Sequence, residues 1–395
     1  MATFTGLDIL AEGGFEALRG KSVAVLCNQA SISKDLVHVV DLLLSQREKS
    51  GFKVTAVFGP QHGLHGHTQD NMIEWEGAQD ERTGVPVHSL YGESRQPSDE
   101  MLNGTDLLLV DLQDVGTRYY TFIWTMALCM AACERLGIAM LVLDRPNPIG
   151  GVQTEGPLMD PSLASFVGLH PLPARHGLTI AELAKHFQQT YHPKLNLATI
   201  TMQGWSRSDY FDDLDLHWIP PSPNMPLVDT AMVYPGMCLL EATNLSEGRG
   251  TTRPFETFGA PWLEGWKLAS TLNDLRLPGV HFRPVQFQPT FNKHQGELCG
   301  GCFTHVIDRR AFEPVLTAIA VLRTCAAQAG GKFQWKEPPY EYETEKRPID
   351  ILFGKPKLAE TVLSDMPLNQ IRMMLVQDAA AFEPARKAAL LYPTS

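Results

Sequence analysis

The sequence predicts an α/β protein, a doubly wound parallel sheet over residues 1–222 followed by a smaller α+β domain over 223–395. Three observations carry this. Short unbroken apolar runs recur through the first half, segments with helical apolar spacing separate them, and the texture changes at the proline-rich stretch PPSPNMP that begins at Pro220. Strands covered by helices on both faces read as continuous apolar runs, and strand–helix–strand alternation implies parallel pairing.

SVAVLC (22–27) is the first strand, and KDLVHVVDLLLSQREKS (34–50) a helix behind it. KVTAVF (53–58) is the second strand. After a long polar stretch comes LLLVDL (107–112), then a buried helix within 119–137 that ends at Gly137, a residue suited to the left-handed turn that closes helices. AMLVLD (139–144) is the fourth strand, LTIAELAKHFQQTY (178–191) an amphipathic helix with Thr179 as its N-cap, and LATITM (197–202) the fifth strand. In the second half, 280–290 and 298–309 are strands, 311–330 is a helix, and a last helical region covers roughly 366–391.

Composition narrows the function. The 395 residues carry 44 acidic and 33 basic side chains, a formal charge of −11, with no basic tract and no aromatic–basic interleave. That balance argues against nucleic acid or an anionic membrane as partner, and no apolar stretch approaches the length that spans a bilayer. No basic segment followed by an apolar run opens the chain, and the odd set of seven cysteines falls partly inside apolar patterns, as at Cys27, Cys129 and Cys133. A reduced, cytoplasmic protein is the expectation.

In an open parallel sheet, ligands bind beyond the carboxyl ends of the strands. Polar residues cluster at four such ends: Asn28-Gln29; Gln61-His62-Gly63; Asp111 with Asp114 and Arg118-Tyr119-Tyr120; and Asp144-Arg145 with Asn147, followed by Glu155. No G-x-G-x-x-G follows the first strand, and neither a phosphate-loop motif nor a nucleophile elbow occurs, so no cofactor is expected. Carboxylates are the more promising chemistry. Glu74 and Glu76 lie in the long polar insertion 64–84, Glu155 lies in Q-T-E-G-P, and Glu247 and Arg249 share the glycine-rich N-L-S-E-G-R-G-T. Acid–base hydrolysis needs two carboxyl groups in environments that drive their pKa values apart, and an arginine suits a substrate carboxylate. Asp144–Arg145 reads equally well as a structural ion pair. His62, His65 and His67, and His294 with Cys299, Cys302 and His305, carry metal-like spacing. On a strand, however, Cys299 and Cys302 point to opposite faces, so no metal is expected.

The motifs N-Q-A-S (28–31), G-P-Q-H-G (59–63), D-x-Q-D-V-G-x-R-x-Y-T (111–121), D-R-P-N-P-I-G-G (144–151), E-G-P (155–157), N-x-S-E-G-R-G-T-x-x-P-F-E (244–256), G-A-P-W (259–262) and R-P-I-D-x-L-x-G (347–354) occur in order. Together they resemble glycoside hydrolase family 171, the exo-β-N-acetylmuramidases, over most of the chain. The resemblance implies a Rossmann-like domain and a smaller second domain with the active site in the cleft between them. It also implies a bacterial enzyme that releases N-acetylmuramic acid from the non-reducing end of peptidoglycan fragments. It places the two catalytic glutamates at Glu74, with Glu76 as competitor, and at Glu155, so that Glu155→Gln is expected to abolish turnover. Asn28, His62, Asp114, Arg118, Tyr120, Asp144, Arg145, Asn147, Arg175, Glu247 and Arg249 are the expected sugar-binding residues. The arginines would face the lactyl carboxylate, and Tyr119, Tyr120 and Trp262 would offer stacking surfaces. Many members of the family carry Glu where this chain has Gln61, which marks a subgroup of altered preference or mechanism.

Overall fold

The computed structural model describes residues 2–70 and 73–394. Its larger sheet contains β1 (Ser22–Cys27), β2 (Lys53–Gly59), β3 (Ala78–Gln79), β4 (Pro86–Ser89), β5 (Leu107–Asp111), β6 (Ala139–Leu143) and β7 (Leu197–Ile200). The spatial order is β3-β4-β2-β1-β5-β6-β7, parallel except for β3, which runs antiparallel to β4. The chain reverses direction across the sheet on either side of β1, the arrangement that opens a crevice at the carboxyl edge.

The strands are apolar throughout because both faces are covered. Val23, Val25 and Cys27 of β1 join a core with Leu7 and Leu10 of α1 (Gly6–Glu12) and Val39 and Leu43 of α2 (Val39–Ser50). Ala24 and Leu26 point the other way, into a core built with α3 (Phe122–Leu136) and α4 (Ile180–Tyr191). Thr179 caps α4 as expected: its hydroxyl accepts the Glu182 N–H, and the Glu182 carboxylate accepts the Thr179 N–H. Gly137, at φ 70°, closes α3. The helix expected over 34–50 begins later, at Val39, because His38 takes the capping position while Ile32 and His38 pair across a tight turn.

The second unit opens with α5 (Val228–Met237), which runs beside α7 (Pro314–Gln328). A three-stranded antiparallel sheet, β8 (Thr257–Ala260), β9 (Val280–Phe287) and β10 (Cys299–Val306), has β10 in the middle and α6 (Gly265–Asp274) packed on it. The chain ends in α8 (Pro348–Phe353), α9 (Leu358–Val362) and α10 (Leu368–Ala389). One continuous core takes in Phe122 and Leu178 of the first unit with Tyr234, Phe258, Ile319 and Leu352 of the second. All seven cysteines are free thiols in buried positions.

Candidate active site

Beyond the carboxyl ends of β2 and β5, under the second unit, lies a narrow cavity of about 30 Å³. Gln61 and His62 enter it from the turn after β2. That turn needs two left-handed residues, His62 at φ 71° and Gly63 at φ 83°, and it is closed by the Gly63 N–H donating to the Pro60 carbonyl. Burial holds the His62 imidazole down at about 4, so it is neutral at pH 7, with Nδ1 2.8 Å from the Thr68 carbonyl. Tyr119, Tyr120 and Thr121 reach the cavity from the segment between β5 and α3. The Tyr120 phenol lies against Ser222, and Tyr234 and Phe255 complete an aromatic wall.

The second unit contributes the charges. Arg249 donates to Glu241 at 2.7 Å and lies 3.3 Å from Glu247, which also pairs with Lys293 at 2.8 Å. Burial works to raise the Glu247 pKa, but Lys293 and Arg249 together hold it below its ordinary value, so this carboxylate is ionised. Glu241 also accepts from the Tyr340 hydroxyl at 2.5 Å. Glu341 follows directly. Its carboxylate accepts from Tyr91 OH at 2.8 Å and lies 3.5 Å from Gln61 Nε2. The Thr121 hydroxyl donates to Gln61 Oε1 at 2.6 Å, which turns the Gln61 amino group towards Tyr91 and Glu341. Burial first, and the nearby Glu241, push Glu341 up to about 7 against those donors.

Of the expected site residues, His62, Tyr120 and Arg249 line this cavity, and Glu247 stands behind Arg249. The others are held by contacts within the fold and do not line the cavity. Asn28 organises the turn after β1, accepting from Ala30 N–H and the Ser31 hydroxyl. Arg145 grips Asp111 through both carboxylate oxygens. Asp144 accepts from Ala181 N–H, the Thr179 hydroxyl and the Tyr392 hydroxyl. Asp114 accepts the Gly116 N–H and faces His176 at 3.3 Å. Asn147 bonds to the Leu178 carbonyl and the Ile149 N–H. Arg118 is fully buried and donates to the Ile351 and Leu352 carbonyls at the end of α8. Arg175 donates to the Ile149 carbonyl. Three of the four arginines expected to read a lactyl carboxylate are therefore committed to carbonyls or to Asp111, and Arg249 alone of them faces the cavity.

The expected carboxylate pair does not assemble in the cavity. Glu155 accepts the Leu316 N–H at 3.0 Å and caps the first turn of α7, and burial raises it to about 7. Glu74 is exposed and hydrogen-bonds to Tyr342, next to Glu341. Trp262 stands edge-on to His294 and does not line the cavity. Sequence reasoning missed Glu241, Tyr340 and Glu341, although P-P-Y-E-Y-E just before R-P-I-D places acids between tyrosines at 340–343. Cys299 and Cys302 do lie on one strand, β10, the placement on which the case against a shared ion was built.

A doubly wound sheet with an acid- and tyrosine-lined cavity at its carboxyl edge, roofed by a second unit, defines a two-part α/β protein whose polar side chains converge between its halves. Residues 23–229 match the N-terminal model of the exo-β-N-acetylmuramidase NamZ family and residues 232–392 match its C-terminal model, so the chain belongs to that family. It is 48% identical over 320 residues to the peptidoglycan β-N-acetylmuramidase NamZ of Bacillus subtilis, covering 81% of this chain and 76% of that one. Crystal structures of two Bacteroides fragilis proteins of the DUF1343 family share the fold. One has a TM-score of 0.87 at 32% identity, covering 99% of each chain, and the other 0.77 at 26% identity over the full length of both.

Proposed function

We propose that this protein is an exo-β-N-acetylmuramidase, a glycosidase that releases N-acetylmuramic acid from the non-reducing end of peptidoglycan fragments without a cofactor. The observation that carries the reading is the cavity itself. Its aromatic wall suits a sugar face and Arg249, held by Glu241 and Glu247, is among its lining residues, in a chain 48% identical over 320 residues to a peptidoglycan β-N-acetylmuramidase. Of the two glutamates implied by the family, Glu74 keeps its candidacy through its contact with Tyr342, whereas Glu155 acts as a helix cap. A cytoplasmic place, with imported wall fragments as substrate, is consistent with seven unpaired thiols.

The test is release of para-nitrophenol from its β-N-acetylmuraminide, with the matching glucosaminide alongside. Turnover of the muraminide alone is expected. Gln61, standing where many members carry Glu, favours one other reading, a muropeptide-binding protein without turnover. Binding of muramic acid by a folded sample that releases no chromophore would establish that instead.

A further inference from the structure

We propose that Glu341 is the proton donor to the glycosidic oxygen, and that Gln61 and Tyr91 are the positioning residues that aim it. The inference rests on the glycosidase reading above and names its acid. Cleavage breaks the C1–O bond with the electron pair staying on the oxygen. That oxygen takes the Glu341 proton, C1 gains hydroxyl from water, and the remaining water proton passes to a carboxylate.

Three features of the cavity lead to this residue. The first is the character of its neighbours. Glu247 is bound to Lys293 and Arg249, and Glu241 to Arg249 and Tyr340; Glu341 accepts from Tyr91 and Gln61, and the Arg249 charge acts on it as well. A carboxyl group bridged by a cation stays ionised, while one that burial and a neighbouring carboxylate disfavour as an anion can keep a proton near neutrality.

The second feature is the direction of the hydrogen bonds. Thr121 donates to Gln61 Oε1, Gln61 Nε2 donates to Tyr91 OH, and Tyr91 OH donates to Glu341 Oε2, so each group has its role set by the one before it. A glutamate at position 61 would break that order by putting a second carboxyl beside the first.

The third is the backbone. Glu341 and Tyr342 are consecutive non-glycine residues at positive φ, 46° and 66°. Such a pair is costly and persists where the surroundings enforce it, often at functional sites. Here Tyr340 and Glu343 exchange both backbone hydrogen bonds across the turn, and the Arg95 guanidinium lies 3.5 Å from the centre of the Tyr342 ring. The charged and titratable groups that face Glu341 are Tyr91, Glu241, Arg249, Tyr340 and, through Tyr342, Glu74 and Arg95. Under their combined influence and burial, its carboxyl sits at about 7, where an acid catalyst at neutral pH works best.

The experiment compares the full-length protein with Glu341→Gln on two substrates that differ in the need for a proton. One is N-acetylmuramic acid linked to N-acetylglucosamine, whose leaving alcohol must be protonated. The other is the 2,4-dinitrophenyl β-N-acetylmuraminide, whose leaving phenolate needs none. The disaccharide should lose about 10³-fold in kcat, while the dinitrophenyl glycoside should lose about tenfold or less. Equal losses on both overturn the assignment. A second variant, Gln61→Glu, keeps the side-chain shape and adds a like charge beside Glu341, so the alkaline limb of its kcat/KM profile should move to higher pH. An unmoved limb also overturns the assignment. Wild-type protein that turns over neither muraminide overturns the glycosidase reading, and with it this inference.

Discussion

The Tyr91 hydroxyl donates to the Glu341 carboxylate across 2.8 Å, and the two residues are 250 positions apart in the chain. Tyr91 ends the segment after β4, and Glu341 belongs to the stretch between α7 and α8. The contact therefore ties the edge of the parallel sheet to the second unit beside the cavity.

Burial of the Glu341 carboxyl, against the pull of that contact, has a consequence for stability. Glu341 is raised from 4.5 to about 7, so the folded protein keeps this proton over a range where the unfolded chain has lost it. Stability from this group is complete below about 4.5 and is lost as the pH rises through 7. Glu341→Gln removes the titration, and its Tm relative to wild type should improve with rising pH by the equivalent of on the order of 3 kcal/mol. A Tm difference that stays constant from pH 4.5 to 8 would show that the group does not titrate there.

Glu155→Gln should retain muraminide turnover within about threefold. The amide oxygen can still accept the Leu316 N–H, so α7 keeps its cap at a cost of about 1 kcal/mol. Loss of turnover in a variant with a near-native melting point would return Glu155 to the mechanism.

Arg118→Ala should be among the most damaging single changes outside the cavity. It strips the Ile351 and Leu352 carbonyls of their charged donor and leaves a hole beneath Gly354. Two hydrogen bonds from a buried cation are together worth on the order of 3 kcal/mol or more, which denaturant midpoints would read directly. A shift below 1 kcal/mol would mean that water replaces the guanidinium without loss.

Arg249→Lys keeps the charge but not the fork that spans Glu241 and Glu247. KM for a muraminide should rise about tenfold or more, with a smaller rise for an otherwise identical glucosaminide that lacks the lactyl group. Equal changes for both sugars would remove Arg249 as the lactyl partner.

The parallel strands were legible because burial on two faces leaves an unbroken apolar run, as in SVAVLC and LLLVDL. Thr179 and Gly137 were legible because a cap and a left-handed stop are local chemistry. Helix α5 was not, since VDTAMVYPGM is buried apart from Asp229 and carries Pro235, which hides any periodic face. The site was harder. Arg118, Arg145 and Asp144 looked like ligand contacts because they sit at strand ends, yet they bond to Ile351, Asp111 and Tyr392, which are distant in sequence. Glu341 stayed hidden because its stretch has neither helical nor strand period, and only the folded chain brings it to Gln61.

The tail after α10 adds a final point about inheritance. Tyr392 bonds to Asp144, the Leu391 N–H to Glu182, and Arg386 to the Gly151 carbonyl, all in the first unit, while Arg118 of the first unit holds the end of α8. Each half thus finishes the interior of the other. The two stretches matched by separate family models are not interchangeable parts, and a chimera joining one half to a distant relative's other half would have to recreate these crossings before it could fold.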